Sequence, residues 1–258
     1  MERTVAIIQG RMGSSRLPGK ILMDIAGQPM LMRVVERIRR AKTVDEVVFA
    51  TTTEASDDPV AEFCQAHAIA FWRGSLLDVL DRFYLASRHY QAETVVRITA
   101  DCPLLDPGLV DETVALFRSS GADFATNRLP PPYQRTYPIG LDCEVCTFAA
   151  LETAWREATA PYEREHVMPY LYDVEGRFKV AVLDYKINYG SLRWTVDTGQ
   201  DLELVRQIYQ RLSGNANFTW LDVLDIFERE PELAKLNAQV KHRTMYDVDQ
   251  RFNKGSTK

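Results

Sequence analysis

The sequence predicts an α/β protein: a mostly parallel sheet flanked by helices, with a small inserted strand-and-helix subdomain. Three observations lead there. Strand-like runs and amphipathic helical stretches alternate through the first half of the chain, the pattern of a parallel sheet with right-handed crossovers. The first strand opens directly into a glycine-rich basic loop, and such sheets bind ligands beyond the carboxyl ends of their strands. The chain has 258 residues, 46% of them hydrophobic, enough to bury about three-quarters of its unfolded surface around one large core.

The elements follow in order. Residues 5–8 are a short β-branched strand, and residues 9–20 are the loop Gln-Gly-Arg-Met-Gly-Ser-Ser-Arg-Leu-Pro-Gly-Lys. Helical spacing over 30–41 leads to a strand at 47–52, a helix at 59–67 and a weaker strand at 69–72. A helix at 76–91 and a strand at 94–99 come next. Asp106 and Pro107 then read as the cap and first residue of a helix at 107–119. From 127 the pattern breaks: Pro130-Pro-Pro132 and Pro138 mark an excursion, and an insertion extends to about 170. Within it stand a strand-like stretch at 139–146, a helix near 148–158 and a second helix opening on Pro161. Strands at 178–183 and 192–195 and helices at 200–212 and 220–229 complete one domain over 1–240. Residues 241–258 are polar, lack apolar periodicity and read as a tail.

Composition narrows the function. A formal charge of −5 argues against a nucleic-acid partner, which calls for a basic excess. No run approaches the roughly 18 apolar residues of a membrane span, and the first residues are too short a run for a signal peptide. A cytoplasmic protein is expected. Cys64, Cys102, Cys143 and Cys146 are read as buried reduced thiols. Cys143-x-x-Cys146 lies in a strand-like run, and no second pair completes a zinc set.

The loop carries the chemistry. Its glycines let the backbone approach an anion, and successive N–H groups can form a nest for phosphate. Arg11, Arg16 and Lys20 add charge-assisted donors, so the ligand expected is a nucleoside triphosphate. The two common phosphate loops do not fit. Five residues separate Gly13 from Gly19, with Ile21 after the lysine, and Gly10 and Gly13 are spaced wrongly for the dinucleotide fingerprint. Asp101 ends the 94–99 strand on the same rim as the loop and is a candidate ligand for Mg²⁺. Asp197 ends the 192–195 run in the same way and is a second candidate. Asp201, at a helix entrance, reads as a cap or first-turn anion.

These pieces resemble a known family. Gly10-Arg-Met-Gly-Ser-Ser-Arg-Leu-Pro-Gly-Lys20, Val48-Phe-Ala-Thr-Thr52, Arg73-Gly-Ser-Leu-Leu-Asp-Val-Leu-Asp-Arg82, Ile98-Thr-Ala-Asp-Cys-Pro-Leu-Leu-Asp106, Tyr137-Pro-Ile-Gly-Leu-Asp-Cys-Glu-Val145, Arg164-Glu-His-Val167 and Thr195-Val-Asp-Thr198 occur in sequence order. The ordered set resembles the cytidylyltransferases that make CMP-activated sugars. It is most similar to the spore-coat polysaccharide (SpsF-like) branch, related to CMP-Kdo and CMP-acylneuraminate synthetases. The resemblance implies a GT-A-like, Rossmann-like fold and transfer of a cytidylyl group from CTP to a small acceptor, with pyrophosphate released. It implies Mg²⁺ as cofactor, with Mn²⁺ able to substitute, and a homodimer. It places nucleotide binding on Gly10, Arg11, Met12, Gly13, Ser14, Ser15, Arg16, Lys20, Thr52, Arg73, Arg82 and Asp101. Catalysis falls on Lys20, Asp101 and Arg16, and metal binding on Asp101 and Asp197. Arg82 has a second reading, an i,i+4 ion pair with Asp78. The chain departs from its relatives in having Ala100 before Asp101 and Cys102-Pro103 after it.

The polar set Tyr137, Asp142, Glu144 and His166 is expected to build the acceptor pocket, and the same stretch part of a dimer contact. Asp142 and Glu144, two apart on a strand, share a face. Other readings stay open: a glycosyltransferase of the same fold, although the usual Asp-x-Asp pair is lacking; a nucleotide-binding subunit without activity; uridylyl or thymidylyl transfer to a sugar phosphate; and cytidylyl transfer to a phosphonate.

Overall fold

The computed structural model describes residues 2–129, 135–212 and 214–241. Residues Pro130–Pro132 of the expected excursion and nearly all of the expected tail lie outside these. The strands are β1 (Thr4–Gln9), β2 (Asp24–Ile25), β3 (Gln28–Pro29), β4 (Glu46–Thr52), β5 (Ala70–Gly74), β6 (Thr94–Thr99), β7 (Phe124–Thr126), β8 (Glu144–Thr147) and β9 (Val180–Val182). The helices are α1 (Met30–Ile38), α2 (Asp58–Ala66), α3 (Val79–His89), α4 (Pro107–Ser120), α5 (Phe148–Glu157), α6 (Pro161–His166), α7 (Pro169–Tyr172), α8 (Gly199–Arg211) and α9 (Trp220–Arg229).

Seven strands form one sheet in the order β5-β4-β1-β6-β8-β7-β9, and β2 and β3 pair as a small hairpin. β4, β1 and β6 run parallel, as expected of strands joined by crossover helices. β8 runs antiparallel to both β6 and β7. The sheet is thus mostly parallel, with one reversed strand supplied by the 127–170 stretch.

Alternation along the strands divides the core. Ala6 and Ile8 join Val96 and Ile98 on the face covered by α1, α4, α8 and α9. Val5 and Ile7 join Val95 on the face covered by α3, α5 and α7. Cys143 lies in the first cluster and Cys146 in the second. Three positions apart on an extended chain they point to opposite faces, so they cannot bridge, and all four cysteines are buried free thiols. No helix among the described residues is long and apolar enough to cross a membrane.

Three expected strands are shorter than their sequence pattern, among them the 178–183 run, of which Val180–Val182 is strand. The 139–146 run pairs in the ladder only from Glu144. Ahead of it the Asn127 side chain stands in for a neighbouring strand, its amide donating to the Leu141 carbonyl and accepting from Cys143 N–H. The 192–195 run makes a single bridge, Arg193 to Ile139. β7 went unread because its three residues are too short for a period-2 signal.

Candidate active site

The loop after β1 is fixed at both ends. Gly10 N–H bonds the Ala50 carbonyl and Ala100 N–H bonds the Gln9 carbonyl, so the exits of β1, β4 and β6 are tied together. A Cβ at Gly10 would lie 2.7 Å from the Ala100 Cβ and 3.0 Å from the Phe49 ring. This close approach, not a left-handed turn, is why glycine stands there. The alanine that departs from the relatives' pattern is the small residue Gly10 packs against. The loop then folds on itself, the Met12 carbonyl accepting from Ser14 and Gly19 N–H. Gly19 adopts φ +74°, where a side chain would strain the backbone.

Asp57, which sequence reasoning passed over, pins this loop. It is 1% exposed and precedes α2, where it would ordinarily cap the helix. Instead its Oδ1 accepts from Met12 N–H at 2.8 Å. Its Oδ2 accepts from the Thr51 hydroxyl at 2.8 Å, Thr52 N–H at 3.1 Å and the Thr52 hydroxyl. Burial pushes its carboxyl up, but the hydrogen bonds from Thr52, Met12 and Thr51 prevail and hold it below the usual aspartate value. Asp57 is followed by Asp58-Pro59, which reads as the ordinary start of α2, so no sequence signal marked the residue.

The loop ends on Lys20, where the two candidate carboxylates meet. The Lys20 ammonium donates to Asp101 Oδ2 at 2.8 Å, Asp197 Oδ1 at 3.0 Å and the Val196 carbonyl at 2.7 Å. These residues are 81 and 177 positions from Lys20, and the backbone explains the meeting. Val196 N–H and the Thr195 hydroxyl both donate to the Asp101 carbonyl, which places the 192–197 segment beside the end of β6. Arg16 reaches Asp197 Oδ2 at 2.8 Å, and Arg193 reaches the same oxygen at 2.6 Å. Arg193 is held in turn by Asp201, Nε to Oδ1 at 3.0 Å.

Charge balance follows from these contacts. Burial lowers the Lys20 pKa, and the charges of Asp101 and Asp197 more than reverse that, leaving it raised. Burial raises Asp197; Lys20, Arg16 and Arg193 overcome it and hold the carboxyl far below its usual value. Among the described residues no group of three or more His, Cys, Asp or Glu could hold a metal. A divalent ion would therefore need substrate oxygens and water besides protein carboxylates, which is how Mg²⁺ is commonly held. The donor chemistry fits. Asp101 and Asp197 converge on one cation and keep 25% and 16% of their side chains exposed. Asp101 fits better, since Asp197 already answers three cations.

Other expected nucleotide residues lie around this centre in different states. Thr52 is buried and spends its hydroxyl on Asp57. Arg73 bonds the Thr52 and Glu54 carbonyls at 2.8 and 2.9 Å and pairs with Asp58, bracing β4 against β5. Asp78 caps α3 through Asp81 N–H, and its ion pair is with Arg164, at 3.0 and 3.1 Å from Nε, not with Arg82. Arg82 is 2% exposed. It donates to the Ser75 carbonyl at 2.8 Å, and its Nε is buried without a hydrogen-bond partner. Burial and the neighbouring charge of Arg11 press its pKa down to about 10. Two positive charges acting on each other beside the loop favour an anion there. The nest expectation changes: Gly10, Met12, Ser14, Gly19 and Lys20 N–H groups already bond the protein, so the loop's main offering to an anion is the side-chain charge of Arg11, Arg16 and Lys20.

The four expected acceptor residues do not converge. Tyr137 packs against Tyr185 and Trp220 in the cluster on the α9 face. His166 ends α6, which packs with α3 and α7 on the opposite face. Glu144 pairs with Arg97, both side chains less than 10% exposed, and Arg97 also reaches Gln9 Oε1 at 3.3 Å. Asp142 pairs with Arg135 at 2.7 Å and Arg128 at 3.6 Å. Asp142 and Glu144 both act on Arg128, in keeping with a shared face.

Comparison with known proteins identifies the family and the fold. The family model for cytidylyltransferases matches residues 5–234. The spore coat polysaccharide biosynthesis protein SpsF of Bacillus subtilis is 29% identical over 241 residues, 91% of this chain and 98% of that protein. A cytidylyltransferase structure from Leptospira borgpetersenii serovar Hardjo-bovis superposes with a TM-score of 0.86 at 31% identity, covering 94% of this chain and 100% of that one. The structure of CMP:2-keto-3-deoxy-manno-octonic acid synthetase complexed with CTP shares the fold, with a TM-score of 0.64 at 21% identity over 81% of this chain and 99% of that one. On the family match and these alignments, the chain belongs to the cytidylyltransferase family.

Proposed function

We propose that this protein transfers a cytidylyl group from CTP to an oxygen of a small sugar-like acceptor, releasing pyrophosphate, in the synthesis of a surface polysaccharide or related product. The observation that carries the reading is the convergence on Lys20: one ammonium bonds two carboxylates at the carboxyl edge of the sheet, at the end of a loop that also presents Arg11 and Arg16. A triphosphate brings several negative charges, and Arg11, Arg16, Lys20 and Arg82 are the groups that would receive them.

In the reaction, the acceptor oxygen attacks the α-phosphorus and loses its proton to solvent, while the bond from the α-phosphorus to the α–β bridging oxygen breaks. The electron pair leaves with pyrophosphate. Catalysis is positioning and charge stabilisation, with no nucleophilic side chain required. Asp101, with Asp197 second, would hold Mg²⁺ or Mn²⁺, and the bound ion supplies charge neutralisation at the phosphates. Lys20 can turn from the carboxylates toward the leaving pyrophosphate. Asp57 holds the loop still while this happens. The acceptor belongs on the side of Asp142, whose two arginines are the basic groups of the 127–142 stretch.

A pyrophosphate-release assay with CTP, UTP, TTP and ATP, run across nonulosonates, hexoses and phosphonates, tests the reading. CTP is expected to support turnover. Turnover with UTP or ATP instead would defeat it. Asp101→Asn should remove turnover while the protein stays folded, and retention of more than about a tenth of the activity would remove the metal role from Asp101.

A further inference from the structure

The segment beyond residue 234 lies past the region matched to the family, yet it returns to the site. After the short 3₁₀ turn Pro231–Lys235, Asn237 comes to rest 5% exposed. Its amide nitrogen donates to Asp201 Oδ1 at 2.8 Å and to the Arg193 carbonyl at 3.0 Å. Asp201 is fully buried and anchors the other side. Its Oδ1 also takes Arg193 Nε, and its Oδ2 takes the N–H groups of Asp197 and Thr198 at 3.0 and 2.9 Å. A little farther on, the Lys241 carbonyl accepts from Arg16 at 3.4 Å.

A cavity of about 230 Å³ lies against Asn237, Arg193 and Phe227. Beside it, the two hydrogen bonds of the Asn237 amide tie the segment to Asp201 and Arg193. One side chain clamps the carboxylate that orients Arg193 and the backbone from which Arg193 springs. Arg193 in turn holds Asp197, the carboxylate on Lys20.

We propose that Asn237 is a positioning residue for the transfer reaction: it fixes the Arg193–Asp201 pair, and through Arg193 the placement of Asp197 against Lys20. The proposal rests on the cytidylyl-transfer reading. Without the amide, Asp201 loses a donor and Arg193 can follow it away from Asp197.

The test compares N237A with N237S, which keeps one small polar group, and with L233A, which loosens the same segment through a buried apolar residue that bonds neither Arg193 nor Asp201. Melting temperature, CTP binding with Mg²⁺ by calorimetry, and kcat and KM for CTP are measured below the melting range of all three. N237A is expected to lose about tenfold in kcat/KM, N237S less, and L233A no more than twofold despite a similar fall in melting temperature. In an R193K background N237A should add little further loss, because both act through one guanidinium. An N237A loss equal to that of L233A, or losses that multiply in the double variant, would overturn the proposal. If the wild-type protein binds CTP without turnover, the transfer reading fails, and the same comparison of CTP affinities still decides on Asn237. No CTP binding at all defeats both.

Discussion

Asp57→Asn is the sharpest probe of how the loop is held. The carboxylate takes four donors: Met12 N–H on one oxygen, and the Thr51 hydroxyl, Thr52 N–H and the Thr52 hydroxyl on the other. An amide of the same shape can keep its oxygen on the side with three donors. Its NH₂ then faces Met12 N–H, donor against donor. One charge-assisted hydrogen bond, with a net contribution of about 1.5–3 kcal/mol, is lost, and the others become neutral bonds of roughly half the strength. The sum is about 3 kcal/mol, which for a chain of this size lowers the melting temperature by roughly 6–12 °C. The functional effect is separate, since Met12 begins the turn that carries Ser14, Arg16 and Lys20. KM for CTP should rise about tenfold, because freeing the loop restores entropy that binding must remove again. Thermal denaturation and steady-state kinetics at a temperature where the variant is folded measure both. A melting temperature within about 2 °C of wild type, or an unchanged KM, would refute the anchoring argument.

Gly10→Ala forces a methyl to within 2.7 Å of the Ala100 Cβ; it should cost about 1–3 kcal/mol by denaturant unfolding and lower kcat, because the ends of β1 and β6 must part. Glu144→Gln leaves the buried Arg97 without its counter-charge and should destabilise by about 3–5 kcal/mol, while the double change Arg97→Met with Glu144→Leu recovers most of that. If the double variant is stable but shows a raised acceptor KM, Glu144 touches the acceptor; an unchanged KM leaves it a sheet residue. The acid limb of stability follows from Asp57 and Asp201, both held below the usual 3.8 by hydrogen bonds that outweigh their burial. A depressed carboxyl adds stability above 3.8 and loses it as pH falls through the folded value, so the melting temperature should drop below about pH 4. Asp57→Asn should make that drop shallower, and a parallel fall in both proteins would contradict the assignment.

Much of the architecture was legible in the chain because its signals are local. The continuous apolar, β-branched runs at β1, β4 and β6 and the helical spacing of α1 to α4 needed no partner to be read. Nor did the cap at Asp106, which accepts from Gly108 N–H, or the first-turn anion at Asp201, which the structure shows inside the first turn of α8 with Thr198 as the capping residue. Alternation along the extended 143–146 run was enough to separate Cys143 from Cys146. The basic loop was legible too, since charge and glycine content do not depend on what lies across the sheet.

The rest is a matter of distant pairings. Asp57 is one more acid ahead of a helix until the fold carries Met12 to it, and Arg193 reads as a charge on a strand until Asp197, Asp201 and Asn237 close around it. Tyr137 and His166 look like companions along the chain, yet the sheet lies between their neighbourhoods, because an insertion can send its two ends to opposite faces. The amino-acid order by itself determined the alternating elements, the cationic turn and the two strand-end aspartates. Only the tertiary structure decided that those aspartates share one ammonium, since contacts between residues 81 and 177 positions apart are set by sheet order and backbone hydrogen bonds that leave no periodic trace in the sequence.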